Sequence, residues 1–114
     1  MGENRTFVTI VLPAELTSDW LGEGTWLELE PGTRLFVDGS QVEKAELTPS
    51  ELAAAAIQAA ARGIRAVVYA PGALVFGLAR QAFQLAGVHE GRQMAVFRER
   101  RAALAWLLED STGG

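Results

Sequence analysis

The side chains of this sequence best placed to do chemistry are Asp38 and Ser40, which close the apolar run 35–37, and Arg80, four residues beyond Phe76. An aspartate at the carboxyl end of a buried strand stands where open α/β sheets receive ligands. Together Asp38, Ser40 and Arg80 sketch a small hydrolase or transferase. The set lacks a general base held by a partner, which nucleophilic catalysis requires. Asp38 followed by Gly39 is also ordinary turn chemistry, and that reading is favoured, so no catalytic residue is assigned. His89, the single histidine, lies between Gly87 and Gly91 and reads as a surface loop residue. One histidine and no cysteine leave carboxylates as metal ligands, and none cluster at ligand spacing. No metal and no other cofactor is expected. Gly72 and Gly77 do not make a phosphate-loop fingerprint and read as a turn glycine and a close-packing glycine.

Aromatic side chains offer a second kind of site. Trp106, Phe76 and Phe83 fall in apolar surroundings, and truncating a buried Trp106 would cost roughly 3–5 kcal/mol. Trp20 and Trp26 flank Gly22 and Gly24 and are expected to be partly exposed. They would line an apolar pocket or a self-association surface. Trp20, Trp26, Asp38, Ser40, Phe76 and Arg80 are therefore the candidate ligand-binding residues.

The chain has 114 residues, 49% of them hydrophobic and 21% charged, the balance of one globular domain. Its net charge of −4 argues against nucleic acid, whose binding rests on many cationic contacts to phosphate. Arg98, Arg100 and Arg101 are interrupted by Glu99 and read as a solvated helix face. No apolar run approaches the ~18 residues of a membrane span, and residues 1–5 lack a leader pattern. Absence of cysteine fits a reducing cytoplasm.

The elements that would position these residues are legible in part. Residues 7–12 are rich in β-branched side chains and stop at Pro13, as a strand does. Residues 17–30 leave a short helix and a strand over 26–29 both open. Pro31 and Gly32 force a turn, and a strand over 35–37 follows. Thr48, Pro49 and Glu51 combine an N-cap, a proline at the first helical position and a capping-box glutamate. This helix carries Leu52, Ala56, Ile57, Ala59 and Ala60 on a smooth face suited to lying close on a sheet, and Gly63 ends it. A continuous apolar strand over 66–70 predicts parallel pairing with both faces covered. Pro71 and Gly72 lead into a helix over Ala73–Ala86 with Leu74, Leu78, Ala82 and Leu85 on one face, ended by Gly87. A strand over Met94–Phe97 precedes a closing helix whose inner side is Ala103, Trp106 and Leu107, widened by Leu104 and Leu108. Residues 110–114 read as a frayed tail. Strand and helix alternate through the second half, which predicts a mostly parallel α/β sheet in a single domain.

Phe76, Gly77, Leu78, Ala79 and Arg80, followed by Val96, Phe97 and Arg98 and then by residues 103–107, resemble the STAS/SpoIIAA-like proteins of bacteria. The strand 35–38 and the helix opening Leu47, Thr48, Pro49, Ser50, Glu51 match the same family's central unit, so the likeness runs over residues 33–108. It implies a single STAS-like α/β domain over residues 1–114, with a mixed, mostly parallel sheet of four to five strands backed by helices. Such proteins are related to anti-sigma-factor antagonists and, distantly, to CRAL-TRIO lipid-binding domains. The resemblance implies a non-enzymatic regulatory or ligand-binding module for a protein partner or a small apolar ligand such as a lipid. A structural homodimer without a ligand is the alternative.

Three features depart from the family. Glu46, Leu47, Thr48, Pro49 and Ser50 stand where antagonists carry an Asp-Ser pair with a phosphorylated serine, Glu99 replaces an aspartate cap, and the first third is shortened. Thr48 and Ser50 are the phosphorylation candidates, since a helix amino terminus accommodates an anion. A capping Thr48 and an exposed Ser50 are the favoured reading.

Overall fold

β-Branched runs and the turns that stop them set the strands of the computed structural model, which describes residues 7–23, 28–87 and 93–109. The chain runs β1 (Val8–Val11), β2 (Glu15–Thr17), α1 (Ser18–Glu23), β3 (Arg34–Asp38), β4 (Lys44–Glu46), α2 (Pro49–Ala61), β5 (Arg65–Tyr69), α3 (Ala73–Ala86), β6 (Met94–Phe97) and α4 (Arg100–Leu107). β1, β3, β5 and β6 form a four-stranded sheet in that order, and β2 and β4 form a separate pair. Every one of these ladders is parallel, so the mostly parallel α/β expectation holds. Among the described residues no helix is long and apolar enough to cross a membrane.

The register sorts the side chains into two layers. Leu35, Ala66 and Met94 align across three strands and point into the larger core with α2 and α3. Phe36 and Val67, one residue on, point the other way and are fully buried with Ala103 and Leu107 of α4. The strand order advances in one direction from β1 to β6. Right-handed crossovers then deliver successive helices to one face, and α4, which follows the last strand, is left to cover the other.

Local signals explain the element ends. Thr48 Oγ1 accepts the Glu51 amide at 3.2 Å while Glu51 Oε1 accepts the Thr48 amide at 2.8 Å, so the capping box forms as expected. Gly63, at φ +76°, takes the left-handed conformation that ends α2. Glu99 makes no side-chain cap to α4, in line with its longer side chain. α1 was the open segment: it forms a helix although it contains Gly22, because Thr17 Oγ1 accepts the Trp20 amide at 3.2 Å. Glu28 and Leu29 lie outside any strand. Trp26, His89 and the expected tail 110–114 fall outside the described residues. The three-residue strands β2 and β4 were not foreseen.

Several packing expectations are corrected. α3 buries Val75, Ala79, Ala82 and Phe83, whereas Leu74 and Leu85 stay 51% and 61% exposed. The helix is rotated so that Phe83, 5% exposed, enters the core in place of Leu74 and Leu85. α2 buries Ala53, Ala56 and Ala59 and leaves Ile57 49% exposed. It packs along α3, and Ala56 and Ala59 share the larger core with Leu35 and Ala66 of the sheet. Trp106 is half-buried, and its removal costs less than full burial implied. Gly77 meets nothing within 4 Å where a Cβ would stand, so it is not a close-packing glycine. That role belongs to Gly39, where a Cβ would come 3.1 Å from both the Tyr69 carbonyl oxygen and Val75 Cγ1.

Two substitutions separate these glycines. Gly77→Ala is expected to raise stability by about 0.5–1 kcal/mol, the helix-interior difference between the two residues. Gly39→Ala is expected to lower it by roughly 1–3 kcal/mol through overpacking. Urea unfolding of both variants checks the opposite signs.

Candidate functional site

A cavity of about 110 Å³ between the sheet and the helices on its larger-core side, partly open to solvent, is able to hold a ligand. Its floor is Ile10, Leu12, Leu35, Val37, Ala66, Val68 and Met94. Leu16 of β2, with Trp20 and Leu21 of α1, forms one wall, and α2 supplies Leu52, Ala55, Ala56 and Ala59. α3 closes it with Val75, Leu78, Ala79 and Phe83. No polar atom contributes to this surface. The wall that α2 presents is made of short side chains, mostly alanine, which leave space above the strands. At about 24 cal/mol per Å³ an unfilled void of this size costs about 2–3 kcal/mol.

Trp20 is thus the one candidate tryptophan within the described residues, and it lines the chamber. The other candidates sit elsewhere. Asp38 Oδ1 accepts the Ser40 amide at 2.9 Å, the turn chemistry its position suggested. Its Oδ2 lies 3.9 Å from Arg100, and the Arg100 guanidinium stands 5.0 Å from the Phe36 ring centre. Asp38 is therefore engaged by a turn amide and an ion pair. Arg80 does not join it: its guanidinium stands over Phe76, 5.9 Å from the ring centre. Asp38 and Ser40 form one group, Phe76 and Arg80 another. Sequence order placed neither Arg98 nor the chamber's alanines among the candidates. Arg98 donates to the Pro71 carbonyl at 2.9 Å and also stands over Phe76, at 5.7 Å. The smooth face with Ala56 and Ala59 is the available signal for a void, since both alanines line it.

At the opposite end of the strands, Arg34 and Arg65 are register neighbours. Arg65 stacks on Trp106 at 3.8 Å, donates to the Trp106 carbonyl at 2.7 Å and lies 3.8 Å from Glu109. Burial lowers its pKa from the ordinary arginine value; Glu109 opposes the shift and Arg34 adds to it. These contacts pin α4 to β5 and serve structure. Thr48 and Ser50 are exposed at the start of α2, with Thr48 occupied in its cap. Among the described residues no group of three or more histidine, cysteine or acidic side chains is placed to hold a metal ion. No family model, no curated protein and no solved structure matches this chain.

The cap at Thr48 holds the helix that roofs the chamber. Thr48→Ala is expected to destabilise the protein by about 0.5–2 kcal/mol, measured as a lowered urea midpoint with an unchanged slope.

Proposed function

We propose that this chain is a non-enzymatic, STAS-like binding module whose alanine-walled chamber takes a small apolar ligand. The observation that carries the reading is the cavity itself: about 110 Å³ with a wholly apolar wall. Apolar cavities stay dry, and one of roughly 150 Å³ accepts benzene or xenon. A void of this size suits a single hydrocarbon ring or a short alkyl chain. The partial opening lets a longer acyl chain insert only its end, so a lipid would leave its polar head outside. A wall without donors or acceptors selects against polar ligands, since each buried polar atom would lose its hydrogen bonds to water.

The family resemblance over residues 33–108 supports a regulatory role and a cytoplasmic, bacterial setting as parts of the same proposal. It also supports the absence of catalysis, because Asp38 is already engaged and Arg80 lies with Phe76. The homodimer alternative relied on the tryptophan-bearing segment, and Trp20 contributes to the chamber instead.

Toluene and decanoate, added to the purified chain during thermal unfolding, test the proposal. Ligand at ten times its Kd stabilises the folded state by about 1.4 kcal/mol, a rise in Tm of roughly 4–8 °C. Ala56→Leu, which extends a side chain into the chamber, is expected to abolish the rise while unfolding as cooperatively as the parent. No rise with either compound, or an equal rise in the variant, refutes the reading.

A further inference from the structure

We propose that Phe76, Arg80 and Arg98 form a docking site for an acidic segment of a protein partner, distinct from the chamber. None of the three residues lines the cavity. Two guanidinium groups share one aromatic ring, at 5.9 and 5.7 Å from its centre. Each gains from the ring's negative face, yet placing two like charges beside one side chain raises the electrostatic energy of both.

Elsewhere in the protein the arginines that stack on rings also have carboxylates. Arg65 stacks on Trp106 and faces Glu109; Arg100 lies over Phe36 and faces Asp38. Among the described residues Arg80 and Arg98 have no carboxylate within ion-pair distance. The Asp38 carboxylate on this edge of the sheet is committed to Arg100, and the exposed Glu99 makes no ion pair among the described residues. A ring-and-cation arrangement completed internally twice is therefore left without its acid at Phe76.

The geometry suits recognition. Arg80 is one helical turn beyond Phe76 on α3, and Arg98 reaches the same ring from the link between β6 and α4, anchored by its bond to the Pro71 carbonyl. A guanidinium held by stacking and by one hydrogen bond loses little further freedom when its remaining donors meet a carboxylate. Both arginines are exposed and Phe76 is half-buried, the mixture of aromatic and arginine that concentrates binding energy at protein interfaces. Arg101, also exposed, extends the positive charge along α4. In a chain of net charge −4, this positively charged edge complements an acidic partner.

The test is fluorescence anisotropy of a labelled oligoglutamate peptide titrated with the full chain at low and physiological salt. Binding is expected at low salt, weakened by salt, and reduced about tenfold or more in the Arg80→Gln/Arg98→Gln double variant. Phe76→Leu keeps both charges and removes the ring that holds them, so a comparable loss there distinguishes a built site from diffuse attraction. Lys44→Gln, which removes one positive charge that does not stand on the Phe76 ring, is expected to bind like the parent, and thermal unfolding checks that each variant is folded. Three results overturn the proposal: no peptide binding, folded double and Phe76→Leu variants that bind within about twofold of the parent, or phosphatidylserine vesicles bound in preference to the peptide.

Discussion

A parallel sheet has to be covered on both faces, and this chain meets that demand unevenly. Its strands advance in one direction, β1 to β3 to β5 to β6, so the crossover helices collect on one side. The other side has only α4, eight residues long. The crowded side has more helix than it can press onto the strands, and the sparse side relies on a few strong contacts. Phe36 and Val67 are fully buried there by Ala103 and Leu107, and Arg65 clamps the end of α4 through Trp106.

The chamber follows from the same imbalance. α3 enters the core with Phe83, while α2 buries alanines and packs along α3. An alanine-rich helix can approach another helix closely because it has no bulk to hold it away. Where the strands fall outside that approach, the missing side chains leave space. Leu12, Leu16, Trp20 and Leu21 then border a void and do not fill it. A binding chamber and a packing deficit are physically one object here, and occupation by an apolar molecule recovers dispersion contacts that the protein does not make itself.

Most of the architecture was legible where local chemistry is decisive. The proline and capping residues at Thr48, the left-handed Gly63 and the unbroken apolar run of β5 each specify an element through nearest-neighbour physics. β2 and β4 escaped notice because three-residue strands such as Lys44–Glu46 carry no periodic pattern and exist through their mutual pairing. Helix faces were misjudged for a related reason. Leu74, Leu78, Ala82 and Leu85 make as good a stripe as Val75, Ala79, Ala82 and Phe83, and only the position of the sheet decides between them. Of the candidate site residues, the local pair Asp38 and Ser40 and the one-turn pair Phe76 and Arg80 stand as their spacing suggested. The convergence of Arg98 on Phe76 and the alanine-lined void depend on distant segments, which no short window contains.

The late position of α4 has a kinetic meaning. During synthesis every strand of the sheet leaves the ribosome before this helix does, and the face carrying Phe36 and Val67 has no other cover among the described elements. For that interval the nascent domain is a nearly finished sheet with one apolar side open to water. Such surfaces are where partly folded chains associate wrongly or recruit chaperones. Shortening the interval by even one helical turn of translation would lessen that hazard, whereas losing α4 would make it permanent. The eight residues of α4 thus govern how safely the fold is reached.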